Sequence, residues 1–170
     1  MANVEIELNP VDFLTVGTVG PKGRRLFHLQ SGKGAQIVTL TIEKEQARAL
    51  AEAISELLND LTRQRGDALT SDAIELSSLN MDLREPIEPQ FRVAQMGLGY
   101  DEDRDMIILV AQELVVSDEE QDPALAAQPS VVRLWATRQQ VRALSNYTLE
   151  VVRQGRADPK SNGRILYYWT

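Results

Sequence analysis

A short motif occurs twice in this chain, and it constrains the fold more than any other feature. Residues 46–50 read QARAL and residues 140–144 read QVRAL, so four of five positions are identical at a spacing of 94 residues. Each copy follows a stretch rich in β-branched residues and opens a segment with helical periodicity. Because an internal repeat defines the unit of folding, the sequence predicts two halves with the same plan.

Both halves are predicted to contain three strands followed by one helix. Turns rich in Gly and Pro separate the β-branched runs. The predicted strands cover residues 13–19, 24–31 and 35–42 in the first half and residues 91–100, 105–116 and 131–135 in the second. Each helix carries an apolar stripe, and Thr137 with Gln140 forms a capping box before the second helix. We therefore predict an α+β fold with antiparallel sheet or sheets and two long helices, built from two tandem βββα halves.

The repeat also predicts the domain organisation. Residues 1–156 are expected to form a single domain with an internal duplication: a first half at residues 1–66, a connector at residues 67–89 and a second half at residues 90–156. Residues 157–170 form an apolar tail. A chain of 170 residues buries about 70% of its unfolded surface, so its core needs neither a disulfide nor a metal. Whether the two halves share one sheet is open at this stage.

Charge and residue types exclude several functions. The chain has no cysteine, which excludes disulfides, thiolate catalysis and cysteine-ligated zinc. Its net charge of −7 and its pI of about 4.8 disfavour binding to the phosphates of nucleic acids. No apolar run approaches the roughly 20 residues of a membrane span, and the first residues do not resemble a signal peptide. We expect a cytoplasmic protein that binds neither nucleic acid nor membrane.

Few polar residues are candidates for chemistry. His28 is the only histidine, and as a general base it would need an orienting carboxylate, for which Glu43 and Glu113 are the candidates. Gln30 and Gln112 are candidates for binding a small ligand between the halves. His28 and Gln30 share one face of their predicted strand, because side chains alternate along a strand. The ordinary role of a lone histidine is structural, so catalysis is the secondary interpretation.

Three familiar motifs are incomplete in this chain. Asp101, Asp103 and Asp105 have the first spacings of a calcium loop, but the sixth position is Met106 and a strand follows. The glycine-rich segment at residues 32–34 leads into a strand and lacks the Ser or Thr of a phosphate loop. The G-x-S-x-G motif of serine hydrolases does not occur. We predict no metal site and no cofactor.

Residues 165–169 read ILYYW and are the most apolar part of the tail. Such a segment at a free C-terminus is expected to be covered by protein and not by water. One interpretation is a last strand or plug on the core of the same chain, and the other is insertion into a second copy. Tyr167, Tyr168 and Trp169 are therefore candidate binding residues, and a homodimer is the corollary of the second interpretation.

Several segments carry a resemblance to a known family. They read VGTVG at residues 16–20, RLFHLQ at residues 25–30, LTIEKEQ at residues 40–46, FRV at residues 91–93 and MGL at residues 96–98. In these segments the chain resembles a bacterial family catalogued as domain of unknown function 3090, over about residues 12–156. The resemblance implies an uncharacterised bacterial protein, and none of its motifs is a recognised catalytic signature.

Members of that family typically close with a zinc-ribbon-like tail of the form C-P-x-C-G followed by G-H-x-C-P-R-x-N-G, and this chain departs from that pattern. Gly155 and Arg156 match the lead-in, and PKSNG at residues 159–163 matches the last part. The cysteines and the histidine between them are missing, and Asp158 stands where the final cysteine would be. The resemblance therefore transfers no metal ligand. We hypothesise that the apolar residues after Gly163 replace the knuckle as a packing element.

These observations favour a protein that works without catalysis. The leading interpretation is a binding or regulatory protein that acts through contacts with an unidentified protein partner. The alternative is a small-ligand enzyme with its site between the two halves, which would use the polar candidates named above. One structural criterion separates the two interpretations, because an enzyme needs those polar side chains to converge in one pocket.

Overall fold

The structure is a computed structural model that describes residues 3–21, 23–65, 80–115 and 128–154. The strands of these residues are β1 (Glu5–Leu8), β2 (Phe13–Val19), β3 (Leu26–Lys33), β4 (Gln36–Ile42), β5 (Pro89–Asp101), β6 (Met106–Glu113) and β7 (Val131–Ala136), and the helices are α1 (Lys44–Arg65) and α2 (Arg138–Gln154). The predicted α+β class with two long helices is confirmed.

The strands form one mixed sheet in the order β1-β7-β6-β5-β4-β3-β2. The pairs β4–β5 and β1–β7 are parallel, whereas the other neighbours are antiparallel. The prediction of purely antiparallel pairing is therefore wrong. The β4–β5 pair is parallel because α1 connects these two strands along the chain. A helical crossover allows the chain to re-enter the sheet in the same direction.

The sheet curves until its two edges approach each other. The outermost strands, β1 and β2, are consecutive in the chain and are separated only by residues 9–12. In a flat sheet, six strand spacings of about 4.8 Å would place them roughly 29 Å apart. The path from Leu8 to Phe13 spans at most about 18 Å, so a flat sheet is impossible. Within this link, the backbone N–H of Val11 donates to the carbonyl of Trp135 at 2.8 Å.

One apolar core joins both helices to the same face of the sheet. Ile54 of α1 and Leu144 of α2 are fully buried there. Burial of a side chain of this size stabilises the fold by about 1.5–3 kcal/mol. The helices also contact each other directly, because the hydroxyl of Ser145 donates to the backbone carbonyl of Ala51 at 2.7 Å. The helix pair therefore closes the concave side of the curved sheet.

Each helix is fixed at its start by a glutamine. The Oε1 atom of Gln46 accepts from the backbone N–H of Glu43 at 2.7 Å, and the Oε1 atom of Gln140 accepts from the N–H of Thr137 at 2.9 Å. The N–H of Gln140 donates in return to the hydroxyl of Thr137 at 3.1 Å. The predicted capping box of α2 is therefore present.

The same two glutamines also tie the helices to the sheet. The Nε2 atom of Gln46 donates to the carbonyl of Val93 at 3.0 Å. The Nε2 atom of Gln140 donates to the carbonyl of Val11 at 3.2 Å. Each glutamine thus both caps its helix and holds a backbone carbonyl of the sheet, in β5 for Gln46 and in the β1–β2 link for Gln140.

Residues 80–88, here called the strap, run across the first half of the sheet on the face opposite to the helices. The hydroxyl of Thr15 donates to the carbonyl of Met81 at 2.5 Å. Most residues of β2, β3 and β4 are consequently buried on both faces of the sheet. The strap is the described part of the predicted connector, and residues 66–79 lie outside the described ranges.

Candidate functional site

Gln30 anchors the strap to the sheet and is fully buried. Its Oε1 atom accepts from the N–H of Arg84 at 2.7 Å, and its Nε2 atom donates to the carbonyl of the same residue at 2.8 Å. The Nε2 atom also donates to the hydroxyl of Thr39 at 3.1 Å. The side-chain amide therefore pairs with both the N–H and the carbonyl of one residue, as a residue of a neighbouring antiparallel strand would. These bonds give Gln30 a structural role.

Leu83 of the strap packs directly on Gly17. A Cβ atom at residue 17 would lie 2.5 Å from the Cγ atom of Leu83, which is closer than non-bonded carbon atoms approach each other. The surface at Gly99 is open by comparison, since a Cβ atom there would meet only the Cβ atom of Ile108 at 3.9 Å. A larger residue at position 17 would therefore require the side chain of Leu83 to move.

His28 is buried on the sheet face that the strap crosses. It pairs in register with Gly17 and Thr41, and its side chain is on the same face as Gln30, as predicted. Only 3% of His28 is exposed, and its Nδ1 atom lies 3.5 Å from the hydroxyl of Thr41. Burial lowers the pKa of His28 below its ordinary value of 6.5, and a hydrogen bond with the backbone of Leu40 opposes part of this shift. The imidazole is therefore neutral near pH 7.

We expect the free energy of unfolding to fall as the pH drops below about 6.5, because histidine in the unfolded chain then gains a proton that buried His28 resists. The unfolded state binds more protons in this range, so acid favours unfolding until the lower folded pKa is reached. One proton gives a slope of at most about 1.4 kcal/mol per pH unit. Urea unfolding of the wild type and of His28→Gln between pH 7.5 and 5 measures this contribution. Equal slopes in the two proteins would contradict it.

The two candidate carboxylates have partners of their own. Glu43 is exposed at the end of β4 and forms an ion pair with Arg92. Glu113, at the end of β6, accepts from the backbone N–H of Ser130 at 3.0 Å. His28 is instead hydrogen-bonded within the sheet, to the backbone of Leu40, and contacts Thr41. The three candidate catalytic residues therefore form three separate sets of contacts.

The remaining candidates are Gln112 and three residues of the apolar tail that the structure does not describe. Gln112 accepts from the Nε2 atom of Gln95 at 2.6 Å across β5 and β6. Tyr167, Tyr168 and Trp169 lie outside the described ranges. In the four described ranges, no three side chains of the metal-ligating types are clustered to hold an ion. Neither described helix has the length and apolar character to cross a membrane.

An apolar groove of about 310 Å³ lies between α1 and β5. Its helix wall consists of Gln46, Ala49, Leu50 and Ala53, and its strand wall consists of residues 94–98. Both helix alanines are exposed, because no described part of the chain covers them. The groove therefore presents uncharged and mostly apolar side chains to whatever enters it.

The strand wall of this groove is an unpaired strand edge. β4 pairs with β5 only as far as Arg92, whereas β5 continues to Asp101 and pairs with β6 on its other side. Gln46 donates to the carbonyls of Val93 and Ala94 at 3.0 and 3.3 Å. Beyond that point, no strand of the described ranges pairs with the groove side of β5. An extended segment could form backbone hydrogen bonds there.

The matching space between α2 and β2 is filled. α2 packs closely along β2, whereas α1 touches β5 only slightly. Tyr147 of α2 packs against the core, and its pKa is raised by burial and by the nearby carboxylate of Asp82 in the strap. At the spacing of 94 residues that relates the two glutamines, the residue equivalent to Tyr147 is Ala53. The smaller side chain leaves the groove beside α1 open.

A second groove, of about 360 Å³, lies beside the start of α1. Arg25, Lys44 and Arg92 line it together with Glu43. The ion pair between Glu43 and Arg92 neutralises part of this charge. The arrangement suits a small anion in its sign, but Arg92 is already paired with Glu43 and Lys44 already interacts within the protein.

Sequence reasoning missed the α1–β5 groove because its walls contain no residue type that signals chemistry. Ala49, Ala53 and Gly97 are unremarkable when each is read alone. Two signals could have found the site. One is that Ala53 stands 94 residues before Tyr147, the spacing that separates the two QxRAL motifs. The other is a glycine inside a strand, which often marks the close approach of another backbone.

Over its described residues the structure is an α+β fold with one mixed sheet, two helices on a single face and an apolar groove beside a free strand edge. Residues 6–162 match the family described as Protein of unknown function (DUF3090), and the chain belongs to this family. The resemblance drawn from the sequence is confirmed. No curated protein and no solved structure matches the chain.

Proposed function

We propose that this protein is a binding protein that holds an extended apolar segment of a partner protein in the groove between α1 and β5. The observation that carries the proposal is the free edge of β5 beside an exposed apolar helix wall. A segment that joins a strand edge gains main-chain hydrogen bonds, and pockets for alternate side chains add specificity.

The groove lining restricts the chemistry of the partner. Ala49 and Ala53 form a shallow apolar wall, and Leu98 and Met96 add half-buried apolar surface on the strand side. The only polar side chains of the lining are Gln46 and Gln95, which carry no charge. A charged side chain that pointed at α1 would lose its hydration without gaining an ion pair. The partner segment is therefore uncharged, with apolar side chains on the face towards α1.

The alternative function, an enzyme with a site between the halves, has weaker support. His28, Glu43 and Glu113 make separate contacts, and none of them lines the α1–β5 groove. An enzyme site requires acid, base and positioning groups within reach of one substrate. The binding proposal requires none of these groups, so it accounts for their scattered contacts.

We also propose that the two halves arose by duplication. Gln46 and Gln140 make the same two kinds of contact, which supports this proposal. Ala51 and Ser145 are also 94 residues apart, and they contact each other in the helix pair. Contact between equivalent residues is what a local two-fold axis between the helices would produce. The single domain over residues 1–156, the homodimer and the cytoplasmic location stay predictions.

Panning of a random dodecapeptide display library tests the proposed function. The target is the 170-residue chain with Tyr167→Asp, a change that keeps the apolar tail from competing. We expect enrichment of uncharged peptides in which every second residue is apolar. Adding Ala53→Tyr, which fills the groove, should weaken binding of these peptides by about tenfold or more, a loss of about 1.4 kcal/mol.

The matched control for this test is Asn59→Tyr, which adds the same side chain to an exposed position of α1 outside the groove. The control should leave the peptide affinity unchanged. If no peptides are enriched, or if the enriched peptides bind the Ala53→Tyr protein as tightly as its parent, the proposed function is wrong.

A further inference from the structure

We infer that residues 165–169 of this same chain occupy the α1–β5 groove, as the strap occupies the equivalent path across β2. The inference rests on the proposed function, because it names the resident occupant of the same groove. A partner that binds the same groove would compete with this occupant. Three features of the molecule support the inference: an internal precedent, the chemistry of the segment and its reach.

The precedent is the path of the strap. The strap follows α1 in the chain and enters beside Tyr147 of α2. Met81 contributes to the core there, and its carbonyl accepts from Thr15 of β2. The strap then reaches the opposite face of the sheet, where Leu83 packs on Gly17. A segment that follows one helix thus lies beside the other helix and crosses the strand next to it.

The equivalent path in the second half is open in the described structure. It would begin beside Ala53, where the groove is open, whereas Tyr147 fills the corresponding space beside α2. It would then cross β5 and reach the unobstructed surface at Gly99. The chain segment that follows α2, as the strap follows α1, is residues 155–170. The order of elements therefore provides a segment at the place where this path lacks one.

The chemistry of residues 165–169 fits the groove. Their sequence, ILYYW, is uncharged and consists of residues with high strand propensity. A tyrosine of this segment beside Ala53 would supply the ring that Tyr147 supplies on the other side. Removing these large apolar side chains from water also provides the driving force, about 25 cal/mol for each Å² that is buried.

The segment is long enough to reach the groove. α1 and α2 touch at Ala51 and Ser145, nine residues before the end of α2 at Gln154. Nine helical residues rise by about 14 Å, and the adjacent helix is about 10 Å wide, so the return path is roughly 24 Å. Residues 155–164 extend to about 33 Å, which exceeds this distance.

Tryptophan fluorescence of the 170-residue chain tests the inference. The chain has two tryptophans, Trp135 and Trp169, so Trp135→Phe leaves Trp169 as the single reporter. We expect a blue-shifted emission and acrylamide quenching several-fold weaker than that of N-acetyltryptophanamide. Adding Ala53→Tyr should shift the emission to the red and restore quenching, whereas adding Asn59→Tyr should change neither.

A second variant distinguishes displacement of the segment from misfolding caused by Ala53→Tyr. Tyr167→Asp alters only the segment itself, and in the Trp135→Phe background it should expose Trp169 in the same way. If Trp169 is quenched like the free amino-acid derivative without either change, or stays protected after both, the segment does not occupy the groove. If the protection appears only at concentrations at which light scattering detects dimers, the occupant comes from a second copy and the inference is wrong. These readings use no partner, so they are independent of the panning result.

Discussion

Gly17→Val is expected to lower the free energy of unfolding by about 2–3 kcal/mol, whereas Gly99→Val should cost less than about 1 kcal/mol. The reason is the Cγ atom of Leu83, which lies only 2.5 Å from the position of a Cβ atom at residue 17. Valine there must displace the side chain of Leu83, which packs the strap against β2. At residue 99 the nearest atom is the Cβ of Ile108 at 3.9 Å, so the added side chain has room. Urea unfolding of both variants measures the difference.

The Gly99 variant is the control for strand propensity, since both substitutions place the same β-branched residue in a strand. Valine favours strands over glycine, so propensity alone would stabilise both variants. Equal stabilities of the two variants would contradict the close packing of the strap on β2.

Gln30→Met should destabilise the protein by about 2–4 kcal/mol, because methionine keeps the length of the side chain but removes its hydrogen bonds. The N–H and carbonyl of Arg84 would lose the partners that hold the strap, and the hydroxyl of Thr39 would lose a donor. The same substitution at Gln112, whose bond to Gln95 is exposed, should cost less than about 0.5 kcal/mol.

Chemical unfolding of Gln30→Met and Gln112→Met makes this comparison in one assay. Limited proteolysis adds a local readout, since a strap released from Gln30 should be cleaved within residues 80–88 under conditions in which the Gln112 variant is intact. If the two variants are equally stable and equally resistant, Gln30 does not anchor the strap.

The parts of the fold that depend on local pattern could be predicted from the sequence. Alternation along a strand placed His28 and Gln30 on one face, and the register confirms this. The spacing of Thr137 and Gln140 predicted a capping box, and both of its hydrogen bonds are present. In each case the interacting groups are a few residues apart, so the chain fixes their geometry by itself.

Features that join distant segments could not be predicted. The parallel pairs depend on where the helices return the chain to the sheet, and residues alone do not state this. Gly32 was assigned to a turn, but it lies inside β3, where Phe13 occupies the space that a side chain would need. The strap is anchored by Gln30 through backbone atoms of Arg84, which any residue carries.

The candidate site was missed for the same kind of reason. The groove exists because two elements leave a space between them. The side chain of Ala53 is too small to fill this space, and β5 extends past the end of β4. The candidates that the sequence did name are polar residues with structural partners, such as Glu113 with Ser130. Residue type alone did not separate these structural roles from functional ones.

Hydrogen–deuterium exchange of the Tyr167→Asp chain, with and without a peptide selected by panning, shows whether an extended segment pairs with the groove edge of β5. We expect the peptide to slow amide exchange within residues 94–101, to leave residues 13–19 of β2 unchanged and to have no effect once Ala53→Tyr is added. Unchanged exchange at residues 94–101 in the presence of bound peptide would contradict this pairing.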